Sequence, residues 1–255
     1  MPKFVCEQCG KCCSKIRGKL SKDEEDFLRE NAFGKMPLFQ LIPIEETSFP
    51  LWDWEAKRFK EWEKEVGINA KIRPSRAVYD LDGNKTIVVT YHMDSDSCPF
   101  LTEKKCLIYD KPRAFVCRLF PFQRTPFLDI DEKPEPGELL GSCPVVMRDL
   151  DKIPKDKDEM IKWFSEYFED GSFLNAVQND ITIAWVNKTI VELCKSKVIR
   201  PTMNYPYDKL LKRAENSEKV DLMDFLVEKN IKTREEIDEL VKRFDDNTDA
   251  KEKLG

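Results

Sequence analysis

The spacing of apolar positions changes several times along this chain, and each change marks a different kind of element. Trp54, Phe59, Trp62 and Val66 recur on one side of a helical wheel, which predicts a helix over residues 53–66. In "AVYDLDGNKTIVVTYH" (77–92), β-branched and aromatic residues flank Asp82-Gly83-Asn84, the pattern of a β-hairpin turning at those three residues. Met160, Trp163, Phe164, Tyr167 and Phe168 share a helical face. Residues 173–196 read as a long helix, apolar on most sides between Ile181 and Leu193 and therefore expected to be buried. Two short charged helices are expected near 221–229 and 234–244, the second opened by a capping box of Thr233 and Glu236. A similar box, Ser21-Lys22-Asp23-Glu24, predicts a helix to about Asn31. The stretches around Pro37, Pro43 and Pro50, and around Pro126, Pro134 and Pro136, read as loops, and the polar tail from Asp245 is expected to fray.

This mixture predicts an α+β fold. A small cysteine-rich, metal-clamped domain with a β-hairpin and helices is expected over residues 1–148, followed by a mainly helical region over 149–255. The boundary is drawn where the cysteines stop: eight of the nine precede residue 144.

Composition narrows the function classes. The chain has 255 residues, enough to bury a sizeable core. Its net charge is −5 and no Lys/Arg run forms a basic stripe, so no nucleic-acid partner is expected. No segment approaches the roughly 18 apolar residues of a membrane helix, and the opening MPKFVCEQC lacks the apolar stretch of a secretory signal. A cytoplasmic location follows as the expectation, with thiols kept reduced. The single histidine, His92, excludes a two-cysteine, two-histidine zinc finger and an HExxH protease. His92 itself reads as an ordinary residue at a strand end.

The cysteines carry the chemistry. Cys6-x2-Cys9-x2-Cys12 is the run that wraps three corners of an iron–sulfur cubane, with a fourth thiolate supplied from elsewhere. Gly10 stands where the backbone must bend sharply, and Lys11 offers charge to offset thiolates. In an extended segment the adjacent Cys12 and Cys13 would point to opposite sides, so Cys13 is expected to face a second site. With Cys98, Cys106, Cys117 and Cys143, eight thiolates divide into two four-cysteine sites, filled by two [4Fe–4S] clusters or by two zinc ions. Zinc sites of four cysteines usually show two CxxC-like pairs. The second half here, Cys98-x7-Cys106-x10-Cys117-x25-Cys143, shows none, so spacing favours iron–sulfur, with a zinc-stabilised interaction module as the alternative. Cys194, in "TIVELCKSK", reads as a structural residue.

The segments "CEQCGKCC", "CPFL", "CLIYDKPRAFVCRLFP" and "CP", in this order, resemble the YkgJ-type CxxCxxCC family of zinc- or iron-chelating proteins over roughly residues 1–148. Lys111-Pro112 stands where the family has Arg-Pro, with Arg113 next to it, and one extra residue precedes Cys117. The resemblance implies that Cys6, Cys9, Cys12, Cys13, Cys98, Cys106, Cys117 and Cys143 are metal ligands. It marks Arg118 as a motif residue, expected here to donate hydrogen bonds to cluster sulfur or backbone carbonyls. Tyr109, Phe115, Phe120 and Phe122 are expected to shield the centre from water, or simply to fill the core. A related group, the flagellin lysine methylases, shares the CxxCxxCC element, but no Gly-rich cofactor loop follows a strand here. The expected function is therefore an iron–sulfur protein with an electron-transfer or metalloenzyme-accessory role, docking a protein partner through its helical C-terminal region.

Overall fold

The computed structural model describes residues 3–18, 22–23, 26, 37–43, 46–123, 139–141 and 143–254. In chain order its strands are β1 (Leu38–Gln40), β2 (Pro50–Trp52), β3 (Ile72–Asp80), β4 (Lys85–Met93), β5 (Leu101–Thr102), β6 (Lys105–Cys106) and β7 (Glu218–Asp221). Its helices are α1 (Asp53–Val66), α2 (Phe115–Arg118), α3 (Pro144–Met147), α4 (Lys157–Tyr167), α5 (Ser172–Lys195), α6 (Tyr207–Asn216), α7 (Leu222–Glu228), α8 (Arg234–Asp245) and α9 (Thr248–Leu254). The fold is α+β with a helical C-terminal region. The chain forms two compact units from alternating segments. The first takes residues 1–14, 101–186 and 240–255, and the second takes 15–100 and 187–239. The expected boundary at 148 falls inside the first unit.

The second unit is built on the predicted hairpin. β3 and β4 pair antiparallel from Ile72↔Met93 to Asp80↔Lys85, and the turn lies at residues 81–84. The opposite edge of β4 is shared: β2 pairs antiparallel with its C-terminal half (Leu51↔Tyr91), and β7 runs parallel to its N-terminal half (Val88↔Asp221). Partners on both edges, with α1 and α7 packed against it, bury β4 from Thr86 to Met93. That is why its sequence is a continuous β-branched run rather than an alternation. β1 extends the sheet beyond β3 (Phe39↔Ala77), and there Phe39, Ala77 and Tyr79 bury against Leu210 and Ala214 of α6. Two strands thus lie in the Pro-rich stretch expected to be loop. The helix α1 covers the predicted 53–66, with Trp54, Phe59 and Trp62 buried. The helix expected from Ser21 to about Asn31 falls mostly outside the described residues, as does the loop around Pro126, Pro134 and Pro136.

The core of the first unit is aromatic. Phe122 meets Phe164 edge-on at 5.2 Å and Phe168 at 4.8 Å, and Trp163 stacks on Tyr167 at 4.3 Å. The face predicted from sequence, on α4 and its C-cap Phe168, supplies four of those rings. Burying each contributes roughly 1.5–3 kcal/mol before entropy is counted. The tail does not fray. It forms α9, with Ala250 fully buried. Gln178 of α5 donates to Asp249 at 3.1 Å and accepts from the Ala250 N–H at 3.0 Å. A buried amide on a neighbouring helix thus supplies what the tail's own polar sequence does not. Among the described residues no helix is long and apolar enough to cross a membrane.

Candidate metal centre

Seven of the eight motif cysteines lie in the first unit; Cys98 is buried in the second, three residues before the chain enters the first at Leu101. The cysteine loop starts from an anchor. The Phe4 N–H donates to the Tyr167 carbonyl at 2.8 Å, and the Phe4 ring packs on Phe168 at 5.1 Å. From there the chain runs out to exposed Cys6 and Cys9. At Gly10 it turns with φ +71° and ψ 0°, a left-handed conformation that favours glycine. Lys11–Cys13 then form a single 3-10 turn, with the Cys13 N–H on the Gly10 carbonyl at 3.0 Å. A Cβ on Gly10 would stand 2.9 Å from Leu101 Cδ1 and 3.4 Å from the Lys104 backbone. The loop is therefore seated closely on the β5–β6 hairpin, which carries Cys106.

The 3-10 turn corrects one expectation. Successive residues there rotate by about 120°, against 180° in a strand. Cys12 and Cys13 consequently do not point apart: their sulfurs are 3.7 Å from each other. The inference of a second site from opposite-facing side chains loses its premise, because the local conformation is helical and not extended. The Cys12 thiol is pushed far up, first by its contact with the Cys13 sulfur and then by burial, while Arg113 pulls the other way.

Cys143 precedes α3, and the backbone N–H groups of Val145 and Val146 point at its sulfur. Burial pushes this thiol up, the two N–H groups work against that, and thiolate charge on Cys6 and Cys9 adds to the rise. The late cysteine is thus brought into electrostatic reach of the first two. An exposed ion pair, Arg148 Nη2 to Glu7 Oε1 at 2.8 Å, crosses between the same two segments. Cys117 lies in α2 and is half-buried, its N–H on the Ala114 carbonyl at 2.9 Å.

The other motif residues divide between the centre and the core. Tyr109 belongs to the centre. It is half-buried, burial and then thiolate charge on Cys6 push its hydroxyl up, and its N–H reaches the Cys106 carbonyl at 3.3 Å. Phe115 and Phe122 are buried, the second within the aromatic cluster, and half-buried Phe120 lies against Gly141. Arg118 reaches a backbone carbonyl, that of Asp245, at 3.0 Å, with its guanidinium 4.7 Å from the Phe115 ring. Arg113, given no role on sequence grounds, lies over the Tyr109 ring at 4.4 Å and acts on Cys12. Its place beside Pro112, offset by one or two positions from the family's Arg-Pro, was the available signal.

The donor set fits a thiophilic centre. None of the nine cysteines is in a disulfide, the motif cysteines are soft donors, and such ligands select zinc or iron–sulfur over hard cations. Among the described residues no three Cys, His, Asp or Glu side chains converge closely enough to hold one ion. What is present is the Cys12–Cys13 contact and the electrostatic reach of Cys6 and Cys9 to Cys143.

A family model named CxxCxxCC, described as "Putative zinc- or iron-chelating domain", matches residues 5–144. No curated protein and no solved structure matches the chain.

Proposed function

The chain belongs to the CxxCxxCC family, and from that premise we propose that it is a cytoplasmic iron–sulfur protein with an electron-transfer or metalloenzyme-accessory role. The observation that carries the reading is the 2.8 Å Arg148–Glu7 ion pair that joins the segment of Cys6 and Cys9 to that of Cys143, within electrostatic reach of its thiol. An x2-spaced pair of thiols and a distant thiol thus lie on joined segments, the arrangement from which a short loop and a remote fourth ligand can gather around a cluster. Eight cysteines provide for two four-cysteine sites, with Cys6, Cys9 and Cys143 sharing one. When bound, such clusters supply one-electron chemistry. The protein's share is to hold the thiolates and to offset their charge. A protein partner docks through the helical C-terminal region.

Zinc is the second reading, and the Cys12–Cys13 pair favours it. With each sulfur about 2.3 Å from a tetrahedral zinc, two ligating sulfurs stand about 3.8 Å apart. The observed separation is 3.7 Å.

Preparation without oxygen, followed by iron, zinc and acid-labile sulfide analysis, tests both. Iron and sulfide in equal amounts, with broad absorption near 400 nm bleached by dithionite, are the expected result. Stoichiometric zinc without sulfide would replace the first reading by the second. A chain that takes up neither metal would overturn both.

A further inference from the structure

Arg113 holds a position that the ordinary uses of a surface arginine do not explain. Among the described residues it has no carboxylate partner, and its Nε is buried without a hydrogen bond. The cost of burying part of a guanidinium in this way is normally offset by an anion. What it lies on instead is Tyr109, whose N–H reaches the Cys106 carbonyl at 3.3 Å on the hairpin that seats the cysteine loop. Its Cζ is 4.4 Å from the centroid of Tyr109. The hydroxyl of that ring is within electrostatic reach of Cys6. Its charge also reaches Cys12, six residues further along the loop. One cation therefore acts through its field on Cys12 and stacks on the ring whose hydroxyl is within reach of Cys6. The local backbone supports this placement: the Arg113 N–H bonds the Lys111 carbonyl at 2.7 Å, a tight turn around Pro112.

We propose that Arg113, held by Tyr109, is the positioning residue and counter-charge of the metal-bound cysteine loop. The inference rests on the metal-binding reading above and adds to it a residue outside the ligand set. Metal ligands must be thiolates, and several thiolates on one short loop repel one another. A guanidinium stacked on an aromatic ring keeps its plane and charge fixed close by. Lys105, exposed on β6 close in sequence to Cys106, carries the same charge without such a holder.

The test compares wild type, Arg113→Gln, Arg113→Lys, Tyr109→Leu and Lys105→Gln as full-length protein, loaded with metal without oxygen. The readouts are metal per chain and the rate of metal loss to excess EDTA for zinc, or to bathophenanthroline for iron. Outer partners of metal ligands are typically worth about 10–100-fold in affinity. Arg113→Gln and Tyr109→Leu are expected to lose metal at least about tenfold faster than wild type, with Arg113→Lys between them and wild type. Lys105→Gln is expected to match wild type. If iron is bound, Arg113→Gln also shifts the midpoint potential negative, because removing a cation disfavours the more negative reduced state. Unchanged melting of the metal-free variants separates this from misfolding. Wild-type retention in both Arg113 variants would overturn the role of Arg113, as would equal loss in Lys105→Gln. A wild-type chain that binds no metal would instead overturn the underlying reading.

Discussion

Asp53 and Met223 are joined by a 2.9 Å hydrogen bond from the Met223 N–H to Asp53 Oδ2. A carboxyl in the first turn of α1 thereby also serves the first turn of α7, 170 positions later. Its other oxygen accepts from the Trp54 N–H at 2.9 Å, and the side chain is buried. Burial pushes this carboxyl from its ordinary 3.8 up to about 7, with hydrogen bonding from Met223 acting against the rise and Asp221 adding to it. The folded state therefore favours the protonated form. The stabilisation is complete below about pH 4, falls as pH rises toward 7, and is absent above. Asp53→Asn, neutral at every pH, is expected to lose this dependence, gaining on wild type between pH 4 and 7 in urea unfolding. Asp53→Ala leaves two buried N–H groups without an acceptor and is expected to cost about 1–3 kcal/mol across that range.

His92 has the opposite sign of response to its surroundings. It is buried near the end of β4 between Pro50 and Arg73, and neither ring nitrogen has a partner among the described residues. Burial lowers its proton affinity from the ordinary 6.5; Asp94 and Glu46 raise it, and Arg17 and Arg73 oppose them. The unfolded chain takes up this proton at higher pH than the folded one, so stability falls as pH drops below 6.5. His92→Phe is expected to flatten that acid limb of a melting-temperature profile. An unchanged limb would assign it to other groups.

Gly10→Ala tests the seat of the loop. The substitution forces a side chain into a left-handed conformation, costing roughly 1–2 kcal/mol, and drives its Cβ against Leu101 Cδ1. Metal retention against chelator is expected to fall, while the second unit melts as in wild type.

The two most separable cysteines are Cys143 and Cys194. Cys143→Ser removes a buried thiol within electrostatic reach of Cys6 and Cys9 and is expected to lower metal content. Cys194, half-buried in the last turn of α5 and raised by burial, behaves as a small apolar residue. Cys194→Ser is expected to leave metal content at the wild-type level. Elemental analysis of both variants decides.

Arg118→Gln removes the 3.0 Å bond to the Asp245 carbonyl at the end of α8 and the contact over Phe115. A charged hydrogen bond of this kind is worth about 1.5–3 kcal/mol, so a lower melting temperature and faster amide exchange in 246–254 are expected. Faster metal release with unchanged exchange would place the side chain at the metal centre instead.

The sequence by itself determined what depends on near neighbours. The period of Trp54, Phe59 and Trp62 set α1, the Asp82-Gly83-Asn84 turn set the hairpin, and Thr233 and Glu236 cap each other reciprocally at 2.7 and 3.2 Å. The cysteine spacing likewise disclosed the family, because ligand chemistry demands particular atoms at short intervals. Only the tertiary structure decided what depends on a distant segment. "EKVD" has little strand character of its own, yet β7 forms because β4 offers it an open edge. The tail folds because Gln178 receives it, and Arg118 turns to Asp245 because α8 ends there. Cys12 and Cys13 share a side because Gly10 can turn left-handed against Leu101, a contact between residues 91 positions apart. Periodicity and capping act within about one turn of chain, whereas edges, seats and counter-charges exist only once remote segments have been brought together.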